Sequence, residues 1–107
     1  MAVVKVTSVK IEVELPMHEA LTIFKERTID RWISVFSNYI LMEKNPERKA
    51  NYNRCREVLK YTKSSGGGIG SVSSYPKSIV FELSFNDIET AQNFVSDLPK
   101  VIEKSTM

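Results

Sequence analysis

Nucleophilic or acid–base chemistry in this chain has to pass through His18 or Cys55, because the sequence has one histidine and one cysteine. Cys55 lies between Arg54 and Arg56, which would lower its pKa if the thiol were exposed. It also shares a helical stripe with Tyr52, Leu59 and Thr62, so a small buried hydrophobe is the expected role. His18 stands beside Glu19, two residues after Pro16. No second histidine gives the HExxH spacing of a zinc site, and a solvated or capping imidazole is expected. Glu12 and Glu14 share one strand face, where two carboxylates could hold a cation or divide acid and base roles. Lys10 on the same face argues for ordinary solvent exposure. We therefore expect no enzyme, no metal site and no cofactor.

The run "SSGGGIGS" holds every glycine of the chain: Gly66, Gly67, Gly68 and Gly70. A phosphate cradle precedes a helix, whose N-terminus offers free N–H groups and partial positive charge. This run follows a helix and lacks the Gly-Lys-Ser/Thr ending of a P-loop. The expected roles are a left-handed helix cap and a flexible Gly/Ser loop over 64–74, whose Gly66, Gly67, Gly68 and Gly70 with Tyr75 are the loop binding candidates.

The strongest charge signal lies between Lys44 and Lys63. That segment carries seven basic residues against Glu47 and Glu57, whereas the rest of the chain has eight basic against eleven acidic. Lys49, Asn53, Arg56, Lys60 and Lys63 recur at helical spacing and form one stripe. Such a stripe could follow a nucleic-acid backbone, or simply face solvent.

These groups are positioned by elements that periodicity marks out. "VVKVTSVKIEVELP" alternates as a strand, with Val9, Ile11, Val13 and Leu15 on one face, and ends at Pro16. Residues 17–43 read as helical, with Ile29, Trp32, Ile33, Phe36, Tyr39 and Ile40 on one stripe and Met17, Phe24, Val35 and Met42 on a second; "KERT" at 25–28 could divide the segment into two helices. Asn45 is an N-cap with Pro46 at the first helical position, opening a helix over 46–63. "IGSVSS" is a weak strand and "SIVFELSF" a strong one, joined through Pro76. "NDIE" reads as a cap on Asn86 opening a helix with Ile88, Ala91, Val95, Leu98 and Ile102 inward, which Pro99 should kink or restart. The order is β-α-α-β-β-α. We expect an α+β two-layer sandwich with a small, mostly antiparallel sheet and helices on one face. A four-stranded split β-α-β core would need a further strand after the last helix, unless the first strand, divided by a bulge or bend near Thr7–Ser8, supplies two.

At 107 residues and net charge +2 the chain reads as one domain without a charge-dictated partner. A single cysteine excludes an intrachain disulfide. "MAVVKVTSVK" lacks the apolar core of a signal peptide, and no apolar stretch approaches membrane-spanning length. Together these point to a cytoplasmic chain that makes no use of a membrane. The expected function is that of a small regulatory or accessory protein that binds another protein, for example an inhibitor encoded by a mobile element. Phe24, Val35 and Met42 form an apolar interface candidate that would also serve a homodimer. Nucleic-acid binding by helix 46–63 is the alternative.

Overall fold

A computed structural model describes residues 9–22 and 28–105. The chain runs β1 (Val9–Pro16), α1 (Ile29–Met42), α2 (Pro46–Ser64), β2 (Gly68–Ser74), β3 (Ser78–Phe85) and α3 (Ile88–Ser105), the α+β order expected. The sheet has three strands in the order β1-β3-β2, and both pairings are antiparallel. β1 and β2 are therefore parallel to each other, with α1 and α2 as the crossover and β3 inserted between them. β1 is an outer strand with one unpaired side among the described residues.

Alternation decides which face of the sheet is covered. In β3, Ile79, Phe81, Leu83 and Phe85 are buried while Ser78, Val80, Glu82 and Ser84 are partly exposed. Val13 and Leu15 of β1 join them on the covered side, and Lys10, Glu12 and Glu14 face outward. Phe36 of α1 meets Phe81 edge-on at 6.0 Å, and Phe94 of α3 lies 4.8 Å from Phe85. Tyr61 of α2 stacks on Phe94 at 5.2 Å. One aromatic core thus links all three helices to the middle strand, each ring pair adding about 0.5–1.5 kcal/mol beyond area burial.

Local chemistry sets the ends. The Asn45 side chain accepts from the N–H groups of Glu47 and Arg48, and Pro46 opens α2, as the sequence implies. At its other end Gly66 has φ +82°, its N–H bonds to Lys63 O, and Gly67 N–H bonds to Thr62 O. That pair of bonds is a Schellman cap. A Cβ on Gly67 would sit 2.7 Å from Phe85 Cε1 and 2.9 Å from Thr62 Cγ2, so the second glycine is needed for close packing. The remaining glycines belong to β2, where the pairing shifts between Ile69 and Ser71. Only residues 65–67 connect α2 to β2. The segment expected as a loop over 64–74 is therefore a helix end, a cap and a strand, because β3 supplies the pairing that the small residues of β2 could not specify alone.

The helix expected over 17–43 begins instead at Ile29, capped by Thr28, whose hydroxyl accepts from Arg31 N–H at 3.2 Å. Residues 17–22 form a strap whose backbone is bound elsewhere. Met17 N–H donates to Lys77 O at 3.0 Å and Leu21 N–H to Ser74 Oγ at 2.7 Å. Thr7, Ser8, Phe24, Lys25 and Glu26 lie outside the described residues. For α3 the cap is Asp87, not Asn86: its carboxylate accepts from Thr90 N–H at 2.7 Å and from the Thr90 hydroxyl at 3.0 Å. Of the kink or restart expected at Pro99, the restart does not occur, for the helix runs through it as one element.

Candidate docking site

α3 has two flanks, and each lines a groove. The first groove, about 530 Å³, runs between α2 and α3 and is lined by Asn53, Arg56, Lys60, Tyr61, Val101 and Lys104 among others. The basic stripe of the sequence therefore faces the C-terminal half of α3, but it is not an open row of cations. Glu57 sits 3.4 Å from Arg56 and 3.8 Å from Lys60. Arg56 also donates to Asn53 Oδ1 at 2.8 Å, and Lys63 pairs with Asp30 of α1. Asn53 Nδ2 donates to Ser105 O at 2.8 Å, holding the end of α3. Tyr61 donates to Asp97 across the same helix pair, and burial followed by that carboxylate raises its pKa. Arg56 and Lys60 thus pair within α2, while Asn53 and Lys63 fasten α2 to α3 and α1. Lys49, at its N-terminal end, is exposed.

The other candidates separate. Gly66 and Tyr75 stand beyond opposite ends of β2, roughly 25 Å of strand apart at about 3.3 Å per residue, so the loop candidates form no single site. Cys55 is fully buried, and desolvation pushes its thiol up to about 12 against the lowering effect of Arg54. Val35 is half-buried, whereas Met42 is 80% exposed beside Leu41 at 82%. His18 is neither the solvated nor the capping residue expected, for its side chain is 14% exposed and held on both ring nitrogens. Arg54 donates to Asn51 Oδ1, and Asn51 Nδ2 lies 3.1 Å from His18 Nδ1. His18 Nε2 lies 3.2 Å from the Tyr52 hydroxyl, which donates to Glu19 at 3.3 Å. With the proton on Nε2, His18 donates to Tyr52 and accepts from Asn51, whereas the Nε of Arg54 is buried without a partner among the described residues. Burial and then Glu19 push the Tyr52 phenol up to about 12. The network ties the strap after β1 to α2. Among the described residues no cluster of histidine, cysteine and carboxylates could hold a metal ion.

The second groove, about 370 Å³, lies between β1 and the outer flank of α3 and is lined by Val9, Ile11, Ile88, Ala91, Gln92, Val95 and Ser96. The stripe expected to be core is divided here. Ala91 and an unassigned residue, Phe94, are buried, but Ile88 is 56% and Val95 50% exposed. Ile88 and Val95 are seven residues apart, two turns along one flank, and that spacing was the available signal.

The register of β1 shows what borders this groove. Val9 to Pro16 pair with Phe85 to Ser78 in order. Met17 and Lys77 continue that register, and Met17 N–H donates to Lys77 O. N–H and C=O groups of alternate residues point to the same side of an antiparallel strand. The odd-numbered residues of β1 therefore bond β3, and the N–H and C=O groups of Lys10, Glu12 and Glu14 point away from the sheet. Pro16, which has no N–H, falls in the outward set, where proline is tolerated. An apolar channel under α3 thus runs beside a row of outward-directed backbone donors and acceptors, with Lys10, Glu12 and Glu14 side chains on the wet face. Glu82 faces Glu12 across the β1–β3 pair and lies 3.5 Å from Lys10.

No family model, no curated protein and no solved structure matches this chain.

Proposed function

We propose that this protein acts by association, as a small regulatory or accessory protein that takes an extended polypeptide segment along the outer edge of β1. The observation that carries this reading is the pairing of an outward-directed backbone edge with an apolar groove on the same side of the sheet. A strand laid there would complete the ladder with Lys10, Glu12 and Glu14, and its alternate apolar residues would enter the channel between Ile11 and Val95. Main-chain bonds supply affinity in this mode and the alternate side chains supply specificity. The acidic wet face, with Glu12, Glu14 and Glu82, would repel a phosphate backbone, and the basic stripe is largely occupied by Glu57 and Asp30. Both features favour a polypeptide over a nucleic acid.

The test is an NMR titration of the labelled protein with eight-residue peptides alternating apolar and charged side chains. Shifts should be confined to β1, Ile88 and Val95, and should vanish in Val95→Glu. Shifts centred on α2, or no response to any peptide under conditions where the protein is monomeric, would contradict the reading.

A further inference from the structure

We infer that the strand taken by β1 is β1 of a second copy of this chain, docked antiparallel about a two-fold axis at Ile11. This inference rests on the docking reading above and names its occupant. The argument is the charge order of the strand. Edge strands commonly carry charge that blocks stray pairing. In "KIEVE" the charges of Lys10, Glu12 and Glu14 stand on the wet face at alternate positions. The outward residues are even-numbered, so in an isologous antiparallel pair even must meet even. With the axis at Ile11, Lys10 opposes Glu12 of the second copy and Glu12 opposes its Lys10. Both charge pairs are complementary, and both fall at positions that exchange N–H···O bonds. An axis at Glu12 would instead place two glutamates directly opposite, which is unfavourable.

The same axis treats the covered face correctly. Ile11 meets Ile11 at a non-hydrogen-bonded position, where strands approach most closely, and Val9 meets Val13 of the second copy. Val9 and Ile11 are at the floor of the groove, and Ile88 and Val95 of each copy would close over them. The product is one continuous six-stranded sheet with helices on one face. A patch used twice by a two-fold axis needs to be self-complementary, and this strand is.

The experiment is sedimentation equilibrium over a concentration series, with charge-swap variants. The wild type should approach twice its 12.2 kDa chain mass. Lys10→Glu and Glu12→Lys should each weaken association by roughly tenfold or more, since each turns two attractive pairs into repulsive ones. The double variant Lys10→Glu/Glu12→Lys should recover to within about threefold, because the pairs re-form in reverse and the positive charge moved along β1 still has Glu82 across the sheet. Failure of the swap to recover would overturn the Ile11 axis. Val95→Glu changes a half-exposed side chain and should give a folded monomer, which separates loss of docking from loss of fold. A monomeric wild type overturns the second copy as occupant. If that monomer still binds alternating peptides at β1, the docking reading survives alone; if it binds none, both fall. A monomer whose β1 edge amides are protected until residues 1–8 are deleted would assign the edge to the chain's own first residues.

Discussion

The two flanks of α3 face different neighbours and have different chemistry. Toward α2, Phe94 is buried between Tyr61 and Phe85, and the rim is closed by Asn53 to Ser105 and Tyr61 to Asp97 bonds. Toward β1, Ile88 and Val95 stand half-exposed above Ile11, and the strand below sends its backbone groups outward. The first flank has a partner in its own chain and its polar groups are spent on holding it. The second has the ingredients of the same packing without the partner. A groove lined by charge is therefore the structural seam here, and a groove lined by hydrocarbon is where we propose association.

Substitution tests sharpen that contrast. Phe94→Ala should cost about 3–5 kcal/mol in chemical denaturation, whereas Val95→Ala, one residue along, should cost under about 1 kcal/mol. Equal costs would mean that both flanks are core. Next in size is the His18 network, which anchors the strap following the open strand. Tyr52→Phe removes the hydroxyl between His18 and Glu19 and should cost about 1–2 kcal/mol, read from the same denaturation curves. A neutral outcome would show that this network does not hold the strap.

The charged seam should respond weakly. Replacing Arg56 and Lys60 with alanine should change stability by no more than about 1 kcal/mol per pair, given the median worth of exposed ion pairs. Labelled DNA and RNA oligonucleotides should show no binding to the wild type at physiological salt. Binding that weakens steeply with salt would reverse the assignment of the two grooves. The smallest effect belongs to the α3 cap. Thr90 hydrogen bonds hold the Asp87 carboxyl below its ordinary value. A lowered folded pKa means stability present above the unfolded pKa and lost as pH falls through the folded one. Asp87→Asn should flatten the acid limb of the stability curve slightly; an unchanged limb would remove this cap from the pH dependence.

Much of this fold was legible in the sequence, and the gaps have physical causes. Asn45 and Pro46 mark the start of α2 because caps are local chemistry. Tyr52, Cys55, Leu59 and Thr62 read as its inner face because their spacing matches one turn per 3.6 residues. Residues 17–22 read as helix because Met17 aligned with the second apolar stripe, yet their backbone is held by Lys77 and Ser74, distant in sequence. β2 read both as a weak strand and as part of a flexible Gly/Ser loop because glycine and serine carry little strand propensity, and pairing with β3 decides for the strand. The cap slipped from Asn86 to Asp87 because either side chain could do the work. Which strand carries the open edge could not be read, since strand order is a long-range property. Once the order β1-β3-β2 places β1 outside, the alternation of Lys10, Glu12 and Glu14 acquires its meaning.

The most direct test of the central claim is amide hydrogen exchange along β1, measured at low and high protein concentration. Ile11, Val13 and Leu15 bond β3 and should be protected at both. Lys10 and Glu12 should exchange freely when dilute and become protected as concentration rises. Fast exchange of those two amides at every concentration would contradict the account.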